Sequence, residues 1–170
     1  DGVIVAHGGL VHLDSGDGGT TSVRGTIDVS QSDPTKTAGT VHVLGSQVGL
    51  FDNAQIDASA VVGAGTVLIG GDYQGKNPAL RNALLTYIGP NAVIRADAIE
   101  RGNGGKVIVW ADEVSLVYGG LSVRGGALSG NGGFAETSGK SYLDFQGSVV
   151  ATAANGAAGT WLLDPIDVTI

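Results

Sequence analysis

Apolar and polar residues alternate over very short distances along this chain, and glycine closes nearly every run. Within 104–133, a stretch that begins and ends on a Gly-Gly pair, three runs stand out: Lys106–Trp110, Val114–Tyr118 and Leu121–Arg124. Each is rich in β-branched or aromatic residues and is shorter than a typical helix, so each predicts a strand. Alternation divides the residues between two faces: Val107 and Val109 oppose Ile108, and Ile27 and Val29 oppose Asp28. One set points inward and the other outward.

The same pattern recurs from end to end. The first turn of the path has runs at Val3–Ala6, Leu10–Leu13 and Thr26–Val29. The second starts at Gly39, passes Val48–Phe51 and closes at Ile56–Ala58. The third starts at Gly65, resumes after an interruption at Thr86–Ile88 and closes at Ile94–Ala96. The fourth is the stretch seeded at Gly105. The fifth starts at Gly133, passes Tyr142–Phe145 and closes at Val149–Thr152. A sixth starts at Gly159 and runs to Asp167–Ile170. The seeds Gly39, Gly65, Gly105, Gly133 and Gly159 are spaced by 26, 40, 28 and 26 residues. A period near 27 with one long insertion accounts for all of these, and periods of this size mark solenoids and other repeat arrays.

Three short strands per repeat and no helical periodicity select an all-β fold. The prediction is a right-handed parallel β-helix (β-solenoid) of about six coils, its handedness taken from the preference of parallel crossovers. Coils about 4.8 Å apart would give six of them a length of roughly 30 Å. The interruption near 71–85, with its proline, two asparagines and short Ala/Leu segment, predicts a loop with at most one helical turn, projecting from an edge or covering part of one face. Ser30–Ala38 is a smaller excursion with turn chemistry. Residues 1–170 read as a single β-helix segment of a longer solenoid.

Composition sharpens this picture. Thirty of 170 residues are glycine and only 15 % are charged, as expected for many tight turns around a narrow core of small and branched side chains. A net charge of −7, with nine scattered basic residues, argues against nucleic-acid and anionic-lipid partners. Cysteine is absent, which excludes disulfides and thiol chemistry. Methionine is absent even at position 1, which points to a processed or excised piece, and no run is long enough to span a bilayer as a helix.

Three segments, read together, carry a resemblance: GTVLIGGDYQGKNP (65–78), IRADAIERGNGGKVIVWADE (94–113), and GGALSGNGGFAETSGKSYLDFQG (125–147) with GTWLLDPIDVTI (159–170). In this order they resemble the β-helical part of filamentous-haemagglutinin-type exoproteins, the large secreted partners of two-partner secretion, from about Gly39 onward. The resemblance implies a secreted, structural or adhesive shaft at the bacterial cell surface, active in adhesion, biofilm or cell contact. It implies passage through an outer-membrane transporter, and partners among neighbouring coils or copies and cell-surface glycans or proteins. Neither the family's secretion domain nor a terminal toxin is evident. A self-assembling filament subunit and a polysaccharide-active β-helix enzyme are the alternatives.

Candidate chemistry is sparse. The acidic corner Asp14–Gly19 lacks the spacing of a calcium loop and reads as a polar turn. His7, His12 and His42 are well separated and read as surface or corner residues. Asp97, Glu100 and Arg101, and likewise Asp112 and Glu113, sit where strands end and read as solvated corners; an enzyme would need paired carboxylates or a carboxylate-bound metal. Ser138-Gly139-Lys140 is too short for a phosphate loop. No catalytic, cofactor-binding or metal residue is assigned. Tyr73, Tyr87, Trp110 and Tyr118 are the candidate surface contacts, with Tyr142 and Phe145 weighed beside them; an outward aromatic row would suit glycan stacking, and the competing role is filling layers between coils.

Overall fold

The computed structural model describes residues 2–170; Asp1, the first residue of the predicted segment, lies outside them. All long strand pairings are parallel, and they build three six-stranded sheets that wrap one core. The first face stacks Leu10–Asp14, Thr40–Leu44, Thr66–Ile69, Lys106–Ala111, Phe134–Gly139 and Thr160–Leu162. The second stacks Thr20–Val23, Gln47–Leu50, Leu85–Ile88, Val114–Val117, Tyr142–Phe145 and Asp167–Thr169. The third stacks Val3–Val5, Thr26–Asp28, Gln55–Asp57, Val93–Arg95, Gly120–Ser122 and Ser148–Val150. The chain is therefore a β-solenoid of about six turns.

Register turns the sequence repeat into columns. Val11, Val41, Val67, Val107, Ala135 and Trp161 follow one another up the first face. Ile4, Ile27, Ile56, Ile94, Leu121 and Val149 do the same on the third. Most of these side chains are fully buried and pack into one continuous apolar core, which supplies the main favourable free energy of such a fold.

The seed glycines also form a column. A Cβ on Gly39, Gly65, Gly105, Gly133 or Gly159 would collide with the carbonyl oxygen of the glycine one coil below, the lowest of these being Gly9. The period near 27 is thus the spacing at which successive backbones come too close for any side chain.

Inward hydroxyls complete one corner of the coil. Thr21 Oγ1 donates to the Leu44 carbonyl at 2.6 Å, Thr86 Oγ1 to the Trp110 carbonyl at 2.7 Å, and Ser115 Oγ to the Ser138 carbonyl at 2.8 Å. In each case a residue at the start of the second face reaches the end of the first face in the next coil. Buried carbonyls at these bends are satisfied without breaking the core.

The structure departs from the sequence pattern in three places. Thr20–Val23 is a strand that the pattern did not mark, because its inward residues are Thr21 and Val23 and its composition is mostly polar. Ala60–Val62 and Ala98–Arg101 pair as a small fourth sheet at one corner. Finally, Lys106–Ala111 does not alternate in burial: Ile108 faces outward and is nevertheless fully buried. The insertion covers it. Residues 70–84 fold over the outside of the first face, with a single 3-10 turn at Tyr73–Gly75, and Leu80 packs with Phe134 against Leu68, Ile108 and Trp110.

Candidate contact surface

The outward side of the second face carries an aromatic row. The Phe51 ring stacks on Tyr87 with centroids 5.2 Å apart and 28° between planes, and Tyr87 meets Tyr118 edge-on at 5.8 Å. The row is bounded at one end by Arg24, whose guanidinium lies 4.6 Å from the Phe51 centroid. At the other end the Tyr118 hydroxyl donates to Asp144 Oδ2 at 2.9 Å, a bond that raises the phenol above its ordinary value of 10.0, with burial adding to it. Phe51, Tyr87 and Tyr118 are all half-buried, so each ring keeps part of its surface in solvent.

Gly49 makes this arrangement possible. A Cβ at Gly49 would overlap the Phe51 ring, which folds back over the strand to reach Tyr87. Phe51 was not among the expected contacts; a glycine two positions before an aromatic on an outward face is the signal that could have found it. The result is a ribbon of π surfaces running along the rod axis, cationic at one end and anionic at the other. Such a surface can stack planar apolar faces and hydrogen-bond polar edges.

The other expected residues scatter. Tyr73 is 46 % exposed and sits on the insertion, edge-on to Phe134 at 5.7 Å. Trp110, expected as a surface contact, is only 4 % exposed, which corrects that expectation: the insertion lies on its outer side. Its Nε1 donates to Asp112 Oδ1 at 2.9 Å, and Gly75, at φ 62°, lies so close that a Cβ there would fall 2.6 Å from the indole. Tyr142 is exposed, and Phe145 is buried in the core against Trp161.

The charged corners are engaged in binding the coils together. Asp97 is 7 % exposed and accepts from Ser122 Oγ at 2.7 Å and from the Arg124 N–H at 2.6 Å, tying one coil to the next. Asp112 also accepts from Asn82 Nδ2 at 3.1 Å. Asp14 and Asp17 both pair with Arg81 of the insertion, which holds Asp14 below its ordinary range together with the Gly16 N–H, the larger effect. An arginine therefore sits where a calcium reading of this corner would have placed the cation. Glu100, Arg101 and Glu113 are exposed.

Two histidines, far apart in sequence, come together. His12 and His42 are register partners on the first face, with Nδ1 atoms 3.2 Å apart and ring centroids at 5.4 Å. His42 is held below its ordinary 6.5, first by burial and then by its neighbour. His7 stands apart, its Nδ1 3.1 Å from the Ser30 carbonyl. Among the described residues no group of three or more His, Cys, Asp or Glu is placed to hold a metal ion.

No protein-family model matches the sequence, and no curated protein does. Among solved structures the chain is similar to the HMW1 secretion domain from Haemophilus influenzae, at 25 % identity and a TM-score of 0.66. The match covers 95 % of this chain and 48 % of that one, so this chain spans about half the length of the domain it resembles. The likeness is to a secretion domain, a part that the motifs in the sequence did not bring into view.

Proposed function

We propose that this chain is a β-solenoid segment of a two-partner-secretion exoprotein, exported through an outer-membrane transporter and serving outside the cell as part of a rigid, adhesive shaft. The observation that carries this reading is the likeness to a secretion domain along 95 % of the chain, which agrees with the filamentous-haemagglutinin-type motifs in the sequence. A stack of coils zipped by backbone hydrogen bonds has the rigidity a shaft requires.

The adhesive part of the reading rests on the ribbon of Phe51, Tyr87 and Tyr118. Its partner class is a cell-surface glycan, whose sugar rings offer apolar faces to stack and hydroxyls for Arg24 and Asp144. The reading assigns the chain no reaction. Asp97, which lines one surface groove, already has its carboxylate occupied by Ser122 and Arg124.

Export is tested by expressing the chain behind a periplasmic signal, with and without the outer-membrane transporter from its own source. Transporter-dependent appearance in the medium supports the reading, and retention in the periplasm in both strains overturns it. Binding of labelled glycans to the purified chain, lost in the double variant Tyr87→Ala/Tyr118→Ala, tests adhesion separately.

A further inference from the structure

We infer that His12 and His42 form a two-imidazole site for a late first-row divalent cation such as Zn²⁺, Ni²⁺ or Cu²⁺. The two residues sit directly opposite each other in adjacent coils, in a five-residue register that also aligns Val11 with Val41 and Leu13 with Val43. The backbone ladder thus fixes both side chains on the same outward face. Their Nδ1 atoms approach to 3.2 Å. Metal–imidazole bonds of about 2.0–2.1 Å, set at square or tetrahedral angles, place two nitrogens about 2.8–3.4 Å apart. The observed separation falls within that span, so a cation can enter between the rings with little rearrangement.

Without metal, one neutral ring donates Nδ1–H to the Nδ1 lone pair of the other. For a cation to bind, the donor ring moves its hydrogen from Nδ1 to Nε2 by exchange with water, so that both neutral rings offer an Nδ1 lone pair and carry their hydrogen on Nε2; imidazole pairs suit Zn²⁺, Ni²⁺ and Cu²⁺. The nearby carboxylates are already engaged. Asp72 accepts from Lys106 Nζ at 3.0 Å, from Asn77 Nδ2 and from the Tyr73 N–H. Asp14 accepts from Gly16 and Arg81. The remaining coordination positions therefore belong to water, which makes this a site of modest affinity that clips the first coil to the second beside the insertion.

The test uses metal-stripped chain carrying no polyhistidine tag, titrated with Ni²⁺ alone by calorimetry and followed by thermal melting. Saturable binding of one Ni²⁺ per chain and a raised melting temperature are expected. Affinity should fall at least about tenfold in His12→Ala and in His42→Gln, as loss of a metal-organising group does, and His7→Ala should bind like the parent. Electron paramagnetic resonance of the Cu²⁺-loaded chain gives an independent reading: two coordinated nitrogens in the parent and one in each variant. The assignment is overturned if Ni²⁺ binds the parent neither saturably nor with any shift in melting, or if binding is unchanged in both variants.

Discussion

The backbone N–H of Gln74 donates to both carboxylate oxygens of Glu136, at 3.1 and 3.3 Å. Gln74 adopts a positive φ of 53° to do so, within the 3-10 turn of the insertion. Glu136 occupies an outward position on the first face and is nonetheless fully buried. The contact fastens the insertion onto the shaft, and Gln74 Nε2 extends it to Asp164 Oδ2 at 2.8 Å.

Burial raises the Glu136 carboxyl above its ordinary 4.5, against the lowering effect of the Gln74 N–H, with Asp164 and Asp72 adding to the rise. The folded chain therefore binds this proton more tightly than the unfolded chain. Its contribution to stability is full below pH 4.5 and is lost as pH rises through the raised native value. Glu136→Gln keeps an acceptor for Gln74 and has no charge to desolvate. The variant should melt higher than the parent at pH 8, with the difference shrinking as pH falls toward 4.5. Melting curves across that range check this, and a pH-independent difference would contradict it.

Thr86→Val removes the donor to the Trp110 carbonyl and places a methyl group at a fully buried site. Leaving a buried carbonyl without its partner costs about 1–3 kcal/mol. Chemical denaturation should show a lower midpoint with an unchanged slope.

Trp110→Ala should destabilise by about 3–5 kcal/mol, the usual cost of truncating a large buried aromatic. The loss is concentrated outside the main core, under the insertion. Limited proteolysis should therefore cut within 71–84 in the variant under conditions that leave the parent intact. Uniform resistance in both would argue that Trp110 does not anchor that segment.

Gly105→Ala drives a methyl group into the Gly65 carbonyl, with Ala96 and Ala64 also close. Overpacking of this kind costs about 1–3 kcal/mol, and more where backbone must move. Gly120→Ala is the matched control: its Cβ would meet only Ser148 Oγ, at 3.4 Å. Urea midpoints of the two variants should separate clearly, the control staying near the parent.

The sequence by itself determined the coil. Close approach of stacked backbones demands glycine once per turn, so Gly39, Gly65, Gly105, Gly133 and Gly159 print the repeat directly into the chain, and inward Val, Ile and Leu positions print the strands. What lies outside the coil was decided only in three dimensions. Nothing local marks Trp110, Ile108 or Glu136 as buried, since all three point away from the core and are covered by a segment whose landing place depends on Arg81, Asn82 and Gln74 finding partners many residues away. The aromatic row needed Gly49 to let Phe51 lie back onto a coil 36 residues further on, at Tyr87. The His12–His42 pair needed the ladder to align residues 30 positions apart. Repetition is a local constraint and can be read along the chain, whereas side-chain meetings between coils depend on register and on the path of each excursion, which the fold alone supplies.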